Sequence, residues 1–90
     1  MAKLLERTDR MGLPLRVGDS VLVREIPTML LNGLPPSDRT AITAQVGKTL
    51  VVAGFDEHGF VELEFIDADD NPHTIWIAPM ALEKDRKSVV

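Results

Sequence analysis

The chain has 90 residues, 44% hydrophobic and 27% charged, with no cysteine, which gives one domain with a small core and excludes a disordered chain, a disulfide framework, a thiolate metal centre and a cysteine nucleophile. The net charge of −4 is unevenly spread: residues 17–83 carry eleven acids against three bases, Arg24, Arg39 and Lys48, and hence −8. A body of that sign repels phosphate and excludes the usual nucleic-acid binder, which presents bases where it meets the backbone.

Residues 1–14 hold charges, a weak apolar pair (Leu4, Leu5) and Gly12, and read as a tail. The domain is expected over residues 15–84, with a second tail at 85–90. Val17-Gly18-Asp19-Ser20 has turn chemistry, and residues 21–26 are rich in β-formers. In that strand Val21 and Val23 face inward, with Leu22 and Arg24 outward or at an edge, and Pro27 ends the run because it cannot donate to a central ladder. Residues 27–36 combine three prolines and a glycine with Met29, Leu30, Leu31 and Leu34, a pattern that forbids a long regular element yet is too apolar to be simply solvated. Ser37 offers an N-cap for a short helix over residues 38–45 that closes on Gly47, with Ala41, Ile42 and Ala44 buried.

The second half reads as a meander. Residues 48–55 form a strand, and Asp56-Glu57-His58-Gly59 is a tight loop whose glycine takes positive φ. Residues 60–66 alternate, with Val61, Leu63 and Phe65 on one face and Glu62 and Glu64 on the other. Residues 67–72 make a second polar turn, residues 73–77 a further strand, and residues 81–83 a closing strand after a turn at 78–80.

Several strands at close spacing, one long early loop and a short turn before the last strand point to a small closed barrel. The residues resemble the Src-homology-3-like superfamily over roughly residues 17–83. Val17-Gly18-Asp19-Ser20-Val21-Leu22-Val23 looks like the opening of many bacterial small barrels, and Trp76-Ile77-Ala78-Pro79-Met80-Ala81-Leu82-Glu83 looks like the ending in which a proline starts a 3₁₀ turn before the last strand. The resemblance implies an all-β, five-stranded SH3-like barrel with a long early loop and one short helix. It departs from the signalling members, which read proline-rich peptides with tyrosines and tryptophan, because this chain has no tyrosine and a lone Trp76. The opening is also similar to barrel domains of enzyme accessory subunits, such as the β subunit of nitrile hydratases, where the barrel is a scaffold beside a catalytic partner.

Candidate chemical sites fail on spacing. Asp67-Ala68-Asp69-Asp70-Asn71 opens like an EF-hand loop, but the glycine and bidentate glutamate that such a loop needs are replaced by Pro72 and Ala78. The polar run is instead a turn in which Asp and Asn bond their own backbone. His58 and His73 lie among carboxylates without zinc-ligand spacing. Ser20, Ser37 and Ser88 sit in no nucleophile turn, and the glycines form no phosphate loop. Glu62 and Glu64 read as the wet face of a sheet, which also discourages edge pairing. The expectation is therefore no catalysis, no cofactor and no metal.

Two features remain. Strand alternation points Trp76 outward with Thr74 while Ile75 and Ile77 face the core, unless Ile66 or the long loop covers it. The apolar loop either plugs one end of the barrel or borders the tryptophan. The expected binding surface comprises Trp76, Leu30, Leu31 and Phe60, ringed by acids and fitted to a protein partner with a basic rim. The expected function is a protein-interaction or accessory module. The rivals are a structural subunit of an enzyme complex and a small metal- or ligand-binding protein. The N-terminus lacks the apolar run and cleavage site of a signal peptide, no stretch reaches membrane-span length, and the missing cysteines favour a cytoplasmic home, which the resemblance to bacterial small barrels implies is of bacterial type.

Overall fold

The computed structural model describes residues 7–85, so the expected tails fall outside it at 1–6 and 86–90. Five strands, β1 (Ser20–Val23), β2 (Thr49–Phe55), β3 (Val61–Ile66), β4 (Pro72–Ile77) and β5 (Leu82–Lys84), form one antiparallel sheet in the order β4-β3-β2-β1-β5. Two helices, α1 (Thr28–Leu31) and α2 (Pro36–Thr43), occupy the β1–β2 connection, and a 3₁₀ turn at Pro79–Ala81 leads into β5. The strands at the two ends of this order are not paired to each other, so the sheet is open, where the sequence pointed to a closed barrel. The outward edge of β5, which closure would need, is already occupied. Arg10 N–H donates to the Leu82 carbonyl and Lys84 N–H to the Asp9 carboxylate.

Period-two alternation places the core. In β3, Val61, Leu63 and Phe65 are buried and face the same way as their β4 partners Ile77, Ile75 and His73. Val21, Val23, Val52 and Leu82 complete that inner face, closed by Leu15, Ile42 and Ala81. Each fully buried aliphatic side chain contributes roughly 1.5–3 kcal/mol. At β2 one extra residue, Ala53, stands between the pairs Val52↔Leu63 and Gly54↔Glu62, a β-bulge that sharpens the twist of this strand.

The β1–β2 connection departs from expectation in three ways. A single helical turn, α1, precedes the expected helix. The expected helix begins at Pro36, with Pro35 at the cap position and no side-chain cap, so Ser37 lies inside the first turn and is not the N-cap. Proline suits that position because its missing N–H removes one of the unpaired donors of a helix start. The buried residues also differ. Ile42 is buried, but Ala44 is the exposed C-cap, and the third-residue neighbour of Ile42 that turns inward is Gln45, whose Nε2 donates to the Ala41 carbonyl at 3.2 Å. Gly47 closes the segment at φ 86°, as its position predicts.

Three hairpin turns share one construction. Asp9, Asp56 and Asp67 each accept, on Oδ1, the N–H groups two and four residues ahead, at 2.8–2.9 Å. In each the Asp N–H donates to the carbonyl four residues on, and the third residue on, Gly12, Gly59 or Asp70, has positive φ. This is the three-residue hairpin loop with a left-handed last position. The first of these turns brings residues 7–14, read from sequence as a tail, against the body, with Thr8 bridged to Pro14 and Asp9 1% exposed.

Candidate functional site

In β4 the alternation sends Ile75 and Ile77 into the core, His73 to its margin, and Pro72, Thr74 and Trp76 to the outer face. The indole of Trp76 is 47% exposed, so neither Ile66 nor the long loop covers it. Across the ladder Trp76 faces Glu62, and Glu62 in turn faces Gly54. A Cβ on Gly54 would sit 3.4 Å from Glu62 Oε1, so the bare glycine leaves the carboxylate room to lie over β2.

Between α2 and β4 runs an open groove of about 1370 Å³. Leu30, Leu34, Phe60, Ile66, Ile75 and Trp76 supply much of its apolar lining, and its ionisable groups are Asp38, Asp67, Asp69, Lys48 and His73. The space exceeds the roughly 300–1,000 Å³ of small-molecule pockets.

One polar constellation lies at the end of the groove. His73 Nε2 is 2.8 Å from Asp67 Oδ2, and the His73 ring stacks on Phe65 with centroids 4.9 Å apart and planes 8° from parallel. The hydrogen bond from His73, with those from the Asn71 and Asp69 N–H groups, holds the Asp67 carboxyl down from 3.8 to about 2. The pair is local in origin, since β3–β4 pairing sets His73 opposite Phe65 and the turn returns Asp67 above it. What it does chemically is fix the turn and the groove wall.

Of the residues expected to form the surface, Trp76, Leu30 and Phe60 line this groove, whereas Leu31 does not and packs half-buried against the core. The sequence places the 67–70 acids on the rim of the surface, but it assigns Ile66 no part in it and does not pair Asp67 with His73. Ile66 is 67% exposed, and its signal was present: it falls out of phase with Val61, Leu63 and Phe65. The two histidines do not converge. His58 is exposed in the β2–β3 turn, and His73 pairs with Phe65 at the far end of β3, five residues or about 17 Å of strand beyond Phe60. Among the described residues no cluster of three His, Asp or Glu side chains is placed to hold a metal, and no helix is long and apolar enough to cross a membrane.

Comparison with protein-family models, with curated proteins and with solved structures finds no match. The groove and the sheet edge beside it therefore carry the functional reading by themselves.

Proposed function

We propose that this chain is a non-catalytic protein-interaction or accessory module that seats a segment of a partner protein in the groove between α2 and β4. The observation that carries the reading is the half-exposed Trp76 on the wall of an open, largely apolar groove, with Glu62 and Glu64 across the ladder on the same sheet face. Tryptophan is over-represented among the residues that dominate binding energy, and an isolated large aromatic ring in water beside further apolar side chains marks an interaction surface.

A barrel-like scaffold of the Src-homology-3-like kind is the architecture we assign to it. The five-stranded antiparallel meander, the return of β5 to β1 and the 3₁₀ turn opened by Pro79 support that assignment. The absence of cysteine supports a cytoplasmic setting.

The test begins with affinity capture using the full chain as bait, followed by titration of the captured protein against wild type and Trp76→Ala. The variant is expected to lose about 2 kcal/mol or more of binding, while its melting temperature falls little. An unchanged affinity removes the groove from the function. Tryptophan fluorescence in the free wild type is expected to be quenched by iodide or acrylamide, and full shielding would place the indole in the core and sink the reading.

A further inference from the structure

The two edges of the sheet are treated differently. In an antiparallel pair the hydrogen-bonded and non-bonded positions alternate, so every second residue of an edge strand turns its N–H and C=O away from the sheet. On β5 those residues are Leu82 and Lys84. Both are engaged: the Leu82 carbonyl accepts from Arg10 N–H at 2.9 Å, and Lys84 N–H donates to Asp9 Oδ2 at 2.6 Å.

On β4 the phase is set by the turn before it. Asp67 N–H donates to the Asn71 carbonyl at 3.0 Å, which makes 67 and 71 a bonded pair. Counting along the ladder, Phe65↔His73, Leu63↔Ile75 and Val61↔Ile77 are then the bonded pairs, and Pro72, Thr74 and Trp76 point their backbone outward. Pro72 has no N–H to present, which suits an edge. Thr74 and Trp76 each present a donor and an acceptor, at positions where the side chains are exposed.

Natural edge strands are blunted by lysine, by charge, by a bulge or by a covering segment. β4 carries no lysine, no acid and no bulge along 73–77: its sequence is His-Thr-Ile-Trp-Ile, and its ladder to β3 runs without a register shift. The short helix α1 approaches the strand, but among the described residues no backbone group outside the sheet bonds Thr74 or Trp76. The groove opens along this same strand, with α2 as its opposite wall.

We infer that the β4 edge accepts an extended segment of a partner protein as a sixth strand, with an arginine or lysine of that segment laid across Trp76 toward Glu62. This rests on the interaction reading above and gives it a mode and a partner chemistry. Backbone hydrogen bonds to Thr74 and Trp76 supply the register, and side chains on alternate residues of the segment enter the groove or lie on the outer face. A base on the outer face meets the indole, a favourable surface for a cation, and beyond it Glu62, the cross-strand partner of Trp76. Glu64 stands opposite Thr74 on the same face, and the groove adds Asp38 and Asp69 against Lys48, with Asp67 engaged by His73. The same charge opposes a second copy of this chain as the added strand, because the body carries −8 over residues 17–83.

The probe is a set of linear peptides enriched from a phage-displayed random library panned on the full chain, with the best peptide then synthesised alongside a twin in which Glu replaces each Lys and Arg. The enriched peptides are expected to be basic and extended, to bind about tenfold or more tighter than the acidic twin, and to slow hydrogen exchange at the Thr74 and Trp76 amides. Thr74→Pro, which deletes one outward N–H, is expected to weaken binding by about tenfold; if this variant does not fold, the exchange measurement on wild type decides. Binding that leaves both amides unprotected but is lost in Trp76→Ala overturns strand addition and leaves the interaction reading standing. No enriched peptide, together with a monomer in sedimentation, sinks both. A dimer in sedimentation whose Thr74 and Trp76 amides are protected without peptide overturns the basic partner in favour of self-pairing.

Discussion

Asp9 Oδ2 accepts the backbone N–H of Lys84 at 2.6 Å, joining residues 75 positions apart, while its Oδ1 accepts the N–H groups of Met11 and Leu13 in its own turn. One buried carboxylate thus shapes the first hairpin and fastens it over the outward edge of β5. The sheet stays open, and among the described residues no backbone bond from outside the sheet reaches Thr74 or Trp76 of β4.

Removing that carboxylate is expected to be costly. Asp9→Ala strands three backbone donors, each worth about 1 kcal/mol or more when left unpaired in a buried setting. The loss in urea denaturation should be about 3 kcal/mol, whereas Asp56→Ala, at an exposed turn of the same construction, should cost about 1 kcal/mol. Equal losses would show that the Lys84 contact contributes nothing.

The left-handed turn positions make opposite predictions. Gly59 has φ 87° with open space where a Cβ would go, so Gly59→Ala meets only backbone strain and should cost about 1–2 kcal/mol. Asp70 already bears that strain at φ 63°. Asp70→Gly should leave stability unchanged or raise it by up to about 1 kcal/mol, because relief of the strain offsets the added freedom of the unfolded chain. Paired melting curves would read both.

Acid sensitivity follows from the sign of the Asp67 shift. A carboxyl held at about 2 in the folded chain, against 3.8 ordinarily, stabilises the fold fully above the ordinary value. That contribution is lost as pH falls from about 4 toward 2. In His73→Phe the largest cause of the shift is gone while an aromatic ring still stacks on Phe65, so the Asp67 titration followed by NMR should move up toward 3.8. A titration that stays near 2 would assign the shift to the turn N–H groups alone.

No useful affinity for duplex DNA or RNA is expected at physiological salt, because the body carries −8. Micromolar retardation in a gel shift, with a steep loss as salt rises, would contradict this.

The sequence by itself determined where strands run and which way their side chains point. The alternation of Val61, Leu63 and Phe65 with Glu62 and Glu64, and of Ile75 and Ile77 with Trp76, is a local property of a pleated chain that needs one buried face. The turns at 56–60 and 67–71 were legible for the same reason, since an aspartate bonding the next few N–H groups acts within five residues, whereas the like turn at Asp9 read as part of a tail. Less local features were not legible. That Asp9 is buried, that Gln45 and not Ala44 turns inward, and that Leu31 leaves the groove while Ile66 joins it all depend on what each side chain meets across the fold. The covering of one sheet edge depends on such contacts too: hydrogen-bond phase along β5 turns the Leu82 carbonyl and the Lys84 N–H outward, but only the folding of residues 9–10 over that strand engages them.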